Sequence, residues 1–238
     1  MKKLNNILIF LFISCTVLAQ TRSLCQDEKE PIKLSFRITF GSDTYKSDQL
    51  TSSKEIKVPH IETCQFYLSN FTLMKRGTEV WREENSHHLL NVNDNKSLSM
   101  SLNCPRRMKF DGIQFLLGID SLTSVSGAYG GDLDPTNGMY WAWNSGYINF
   151  KLEGSHDDCP TRNNQFHFHL GGYLPPYSAA QRITLDVKKS KSIDVLVDLS
   201  TFTNDLDWSR VHSVMSPSQE AQRLSTIAAS MFSIDVKK

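Results

Sequence analysis

Apolar and polar residues alternate along this chain in short runs, the period of a strand with one buried face. Residues 34–40 set the pattern, with Leu34, Phe36, Ile38 and Phe40 on one face and Ser35, Arg37 and Thr39 on the other. Similar strand-like runs occupy 65–73, 87–92, 110–119, 147–153, 165–170, 183–187 and 193–199. Such segments, separated by Gly, Pro, Asn and Asp, predict a mainly β, single-domain antiparallel β-sandwich. The period changes near the C-terminus. Ser216-Pro217-Ser218-Gln219 reads as a capping box with Ser216 as N-cap, and Ala221, Leu224, Ile227 and Ala228 recur at helical spacing. One short C-terminal helix is expected there, then a closing strand at 232–236.

The first residues follow a different logic. Lys2 and Lys3 precede an apolar run over 7–13, and Val17 and Ala19 supply small residues for a cut after Ala19. This predicts a secretory signal peptide over 1–19. The run is far shorter than the ~20 residues of a spanning helix, and no later segment is apolar enough, so no transmembrane segment is expected. Two other readings stand beside it: an uncleaved anchor, and a lipoprotein modified at Cys15, for which Phe12 at −3 is a poor fit. A polar lead-in over 20–33 and one domain over 34–236 complete the organisation. The expected location is periplasmic, cell-surface or secreted.

Loss of residues 1–19 removes Lys2 and Lys3 and no acid, so the formal charge passes from +1 to −1. A near-neutral chain has no electrostatic reason to bind nucleic acid. Cys25, Cys64, Cys104 and Cys159 remain. An even count in an oxidising compartment predicts two disulfides, with three pairings open. None of the four forms a C-x-x-C pair, which argues against zinc.

Three segments could carry chemistry. Residues 130–147 hold Met139, Trp141 and Trp143, and in a strand or tight turn the two indoles would share a face; by composition alone, core packing is the plainer explanation. In Phe166-His167-Phe168-His169, a strand turns both Phe to the core and both imidazoles to the other face, within reach of one cation; two solvent-facing histidines are the plain alternative. His212-Ser213-Val214-Met215 offers an imidazole and a thioether, donors suited to Cu(I), or simply loop residues. Asp132 and Asp134 lack the rest of a calcium loop and read as a turn. No G-x-S-x-G, Walker A, H-E-x-x-H or Rossmann fingerprint is present, so no enzyme is expected.

Gly118-Ile119-Asp120-Ser121, then Leu133-Asp134-Pro135-x-Asn137-Gly138-Met139-Tyr140-Trp141-Ala142-Trp143-x-x-Gly146-Tyr147, then His169-Leu170-Gly171-Gly172, resemble the MbnP-like copper-binding family over residues 34 to about 235. That family includes the periplasmic protein of methanobactin operons and surface copper proteins of methanotrophs; this wording resembles its Bacteroidetes-type members. The resemblance implies an exported β-rich domain. It implies copper, held in some members by two His and a kynurenine made from Trp, with a dihaem peroxidase-like modifying partner; an outer-membrane transporter is a further expected partner. Residue by residue, His169 matches the family's H-[LI]-G-[GS] histidine, and Trp141 and Trp143 its W-x-W pair, either being the modified residue. There is a departure: the loop over 122–129 lacks the Asn-His pair of methanotroph members. His167, His212 or Met215 would have to substitute.

The expected function is therefore capture, buffering or transfer of copper outside the cytoplasm. A metal-free β-sandwich module that presents Trp and Tyr to a glycan or protein is the alternative. A secreted hydrolase is a third, without a motif behind it.

Overall fold

A computed structural model describes residues 29–45, 58–188 and 190–235. In chain order the elements are β1 (Lys29–Phe40), β2 (Asp43–Thr44), β3 (His60–Lys75), β4 (Thr78–Arg82), β5 (His87–Asn91), β6 (Ser99–Pro105), β7 (Gly112–Leu117), α1 (Ser121–Val125), β8 (Tyr140–Trp141), β9 (Gly146–Ser155), β10 (Gln165–Gly171), β11 (Gln181–Asp186), β12 (Ser192–Asp198), α2 (Ser200–Thr203), β13 (Ser213–Val214), α3 (Gln219–Ala229) and β14 (Phe232–Ile234). Two sheets face each other. The first runs β14-β12-β1, with β2 and β6 on the far edge of β1. The second is organised around the long β3 and extends through β9 and β10 to β13, and through β7 to β11.

The fold is mainly β, as the alternation predicts. Each predicted strand is present, and β1 and β3 extend beyond their predicted bounds. The sheets are not wholly antiparallel, because β1–β12 and β10–β13 pair in parallel. Between the sheets lie Leu34, Phe36 and Ile38 of β1, Val195 and Val197 of β12, and Phe66, Leu68, Phe71, Phe115, Phe150, Phe166 and Phe168 of the second sheet, all buried. Each such side chain contributes about 1.5–3 kcal/mol. The inward positions of β3 switch from 66 and 68 to 71 and 73, across a bulge where Asn70 has φ +55°. Phe232 of β14 meets Phe66 and Phe115 edge-on at 5.7 Å each, tying the sheets together.

Three expectations are corrected. The N-cap of α3 is Ser218, whose hydroxyl accepts from the Ala221 amide, so the helix starts two residues later than the capping box at Ser216 implies. Two further short helices, α1 and α2, join the expected C-terminal one. Cys64, Cys104 and Cys159 are buried free thiols in the core and do not pair with one another; Cys25 lies outside the described residues, as do the signal peptide, the Cys15 reading and most of the lead-in.

One junction positions the site. The registers put β7 and β9 end to end on the same edge of β3, opposite β4 and β5. The chain leaves this edge at Gly118 and re-enters it on β9. Gly118 has φ +118°, and a Cβ there would fall 2.4 Å from Cγ of Asn149. Asn149 Oδ1 accepts from the Ile119 amide and the Ser69 hydroxyl donates to the Gly118 carbonyl. Residues 119–145 thus form a long excursion with its two ends pinned together.

Candidate functional site

The excursion folds back over the outer face of the second sheet. Tyr67, Ile119, Leu133, Met139, Trp141, Tyr147 and Ile148 form a second apolar cluster there, separate from the main core. Two tyrosines hold the loop from beneath. Tyr67 donates to the Asp132 carbonyl (2.9 Å) and Tyr147 to that of Leu133 (3.2 Å), with their rings edge-on at 5.7 Å. Asp132 Oδ2 accepts from the Leu89 amide and Asp134 caps Thr136, so both acids of the suggested calcium loop are turn residues.

Met139 is fully buried in this cluster. Trp141, 6% exposed, lies under Trp143, 66% exposed, with ring centroids 5.5 Å apart. The two indoles do share a side, because β8 ends at Trp141 and the turn into β9 carries Trp143 back over it. The buried partner has a specific seat. A Cβ on Gly171 would stand 2.8 Å from Cζ3 of Trp141 and 2.6 Å from the Tyr147 carbonyl oxygen, so only glycine lets the indole lie there.

Gly171 follows His169 by two residues on β10, so Trp141 sits at the His169 end of this strand. Phe166, Phe168 and Leu170 face the core, which turns His167 and His169 outward, as the alternation requires. Register sets His167 opposite Glu153 and His169 opposite Lys151. His169 is only 8% exposed, and its Nε2 lies 2.7 Å from Glu153 Oε1. Lys151 Nζ is 3.7 Å from the other Glu153 oxygen. Burial draws the His169 imidazole below its ordinary pKa, against the opposing pull of Glu153. Burial also raises the Glu153 carboxyl, but its hydrogen bond with His169 and the Lys151 charge outweigh this and leave it lowered.

β13 runs beside β10, with Ser213 opposite His167 and Val214 opposite Phe168. Met215, 45% exposed, follows just past the end of β13. His212 is turned differently. Val214 packs on the main core, and by strand alternation His212 points the same way, away from the His167 and His169 face. Its carbonyl accepts from the His167 amide, and its Nδ1 is buried without a hydrogen-bond partner. The structure therefore puts His167 and His169 along one strip of β10, with Trp141 against Gly171 at its end, Met215 just past the neighbouring β13, and His212 on the opposite side. Among the described residues no group of three or more His, Cys, Asp or Glu is placed to hold a metal ion.

Sequence reasoning missed Glu153 and Lys151. Their signal was the alternation of β9, which puts two charged residues on the face that meets the histidines.

A family model described as MbnP matches residues 29–216. The chain belongs to the MbnP family. The solved structure of MbnP from Methylosinus trichosporium is similar with a TM-score of 0.55 at 12% identity, covering 79% of this chain and 81% of that one, a likeness of fold. No curated protein matches. For a member of the MbnP family, the contact between Trp141 and Gly171 gives the sequence motifs a physical content: the W-x-W and H-L-G-G segments, some thirty residues apart, are two sides of one packing contact. No helix among the described residues is long and apolar enough to cross a membrane.

Proposed function

We propose that this protein binds copper outside the cytoplasm, to capture, buffer or pass on the ion, and is not an enzyme. The observation that carries the reading is the seating of Trp141 on Gly171, two residues along β10 from a nearly buried His169. The donors fit. Imidazole suits copper and a thioether selects its reduced form. His169 is the first ligand, with His167 and Met215 next; His212 is the weaker assignment because it faces the other way.

Either indole is a candidate for the oxidation that yields kynurenine, Trp143 by its exposure and Trp141 by its seat on Gly171, two residues along β10 from His169. The oxidising equivalents would come from a dihaem peroxidase-like partner, and an outer-membrane transporter would be the partner for transfer. The test is intact mass with metal analysis on protein from its native envelope. About one copper per chain and a gain of about 4 Da, mapped to Trp141 or Trp143, establish the reading. A copper titration in which His169→Ala equals wild type removes the site assignment.

A second reading has its own observation. Trp143, Leu174, Tyr177 and Met215 are large apolar residues exposed on the loops around this strip. A metal-free module that presents this aromatic surface to a glycan or protein would bind its target equally well after chelation.

A further inference from the structure

The hydrogen bond between His169 and Glu153 has a direction, and that direction decides which ring nitrogen is left free. A carboxylate only accepts. With Glu153 ionised, the 2.7 Å contact to Oε1 requires that Nε2 of His169 carry the hydrogen and donate it. We infer that Glu153 holds His169 as the Nε2–H tautomer and so makes Nδ1 the nitrogen that His169 offers to a metal ion.

Three features hold the arrangement. The β9–β10 register puts Lys151 directly across from His169 and Glu153 on the diagonal, so the carboxylate reaches the ring from the side. Lys151 Nζ lies 3.7 Å from Glu153 Oε2, an ion pair whose positive charge favours the ionised carboxylate. The same Nζ lies against the excursion at Gly138, 3.9 Å from where a Cβ would stand. A chain of contacts thus runs from the turn before Met139 and Trp141, through Lys151 and Glu153, to His169. All three charged or polar side chains are sheltered, at 17%, 24% and 11% exposure for Lys151, Glu153 and His169. Glu153 is then a positioning residue, acting on the metal through the ring of His169. A carboxylate behind a metal-bound imidazole fixes its orientation and raises its basicity, and removing one weakens metal affinity about 10–100-fold.

The part concerning the metal rests on the copper reading; the tautomer does not. The experiment is a long-range proton–nitrogen correlation spectrum of metal-free protein labelled with 15N-histidine, at neutral pH, with His169→Gln to assign the ring. Wild type should show Nε2 protonated and Nδ1 bare. Glu153→Gln, whose amide oxygen can still accept, should keep that tautomer. Glu153→Ala should show a mixture and, in competition against a Cu(I) chelator, bind copper at least about tenfold more weakly, with Glu153→Gln between the two. A wild-type spectrum with Nδ1 protonated overturns the inference even if copper binds. So does Glu153→Ala with unchanged tautomer and affinity. The expected tautomer in a wild-type protein that takes up no copper leaves Glu153 its orienting role and removes the copper reading.

Discussion

Trp141 and Gly171 are in contact so close that a single methyl group on Gly171 would stand 2.8 Å from the indole and 2.6 Å from the Tyr147 carbonyl. The contact joins the excursion between β7 and β9 to the end of β10. Without it, the second apolar cluster would lose the edge that rests on the histidine strand.

Gly171→Ala should therefore destabilise the protein by about 1–3 kcal/mol, as overpacking does when backbone is the obstacle. Trp141→Ala should remove about 3–5 kcal/mol through the cavity it leaves. Trp143→Ala, at the exposed end of the pair, should stay within ~0.5 kcal/mol of wild type. Chemical denaturation of the three variants checks the order, and equal losses for Trp141→Ala and Trp143→Ala would contradict the burial described here.

Acid should act in two steps. Burial holds the His87 imidazole below its ordinary pKa, more strongly than Asp120 and Glu83 raise it, and burial does the same to His169. A histidine lowered in this way favours the folded state while neutral; its contribution is complete above ~6.5 and declines as pH falls towards the folded value. Asp120 behaves differently. Burial works against its charge, but hydrogen bonds from the Thr123 amide and hydroxyl outweigh it and leave the carboxyl lowered. Its contribution is complete above ~4 and is lost as pH falls through the folded value. Melting temperature should drop first as pH falls below about 6.5 and again below about 4. His87→Asn should flatten part of the first step, and Asp120→Asn part of the second.

The cysteines should report their burial. Cys64, Cys104 and Cys159 are sheltered thiols, and burial pushes each thiol up from its ordinary pKa. A thiol reagent should label them slowly in the native protein and quickly after unfolding without reductant. A disulfide between any two of these three, mapped by mass spectrometry, would contradict the structure.

The start of α3 separates two serines. Ser218→Ala removes the hydroxyl that accepts from the Ala221 amide and should cost about 1 kcal/mol. Ser216→Ala lies two residues outside the helix and should change stability little. The reverse order in thermal unfolding would restore the capping box at Ser216.

Most of the strand framework could be read from the sequence, because alternation is a local record of which face is buried: Leu34, Phe36 and Ile38 in β1, and Phe166 and Phe168 in β10, have no other physical reason for their spacing. Even the bulge of β3 was present as a change of parity between Leu68 and Phe71. The short elements were not legible. β2, β8 and β13 are two residues each, too few for a period, and they exist because a longer neighbour supplies hydrogen-bond partners. The helix cap was misplaced because Ser216 and Ser218 present the same local chemistry, and only the path of the chain beside β10 selects between them.

The site divides along the same line. Alternation alone put His167 and His169 on one face of β10, and the motif pattern alone assigned the chain to its family. Only tertiary structure brought Trp141 onto Gly171, set Glu153 against His169, turned His212 away, and left the three described cysteines unpaired. The reason is that a strand's sequence states which way each side chain points but carries nothing about which strand lies beside it. That neighbour is chosen by the packing of the whole sheet.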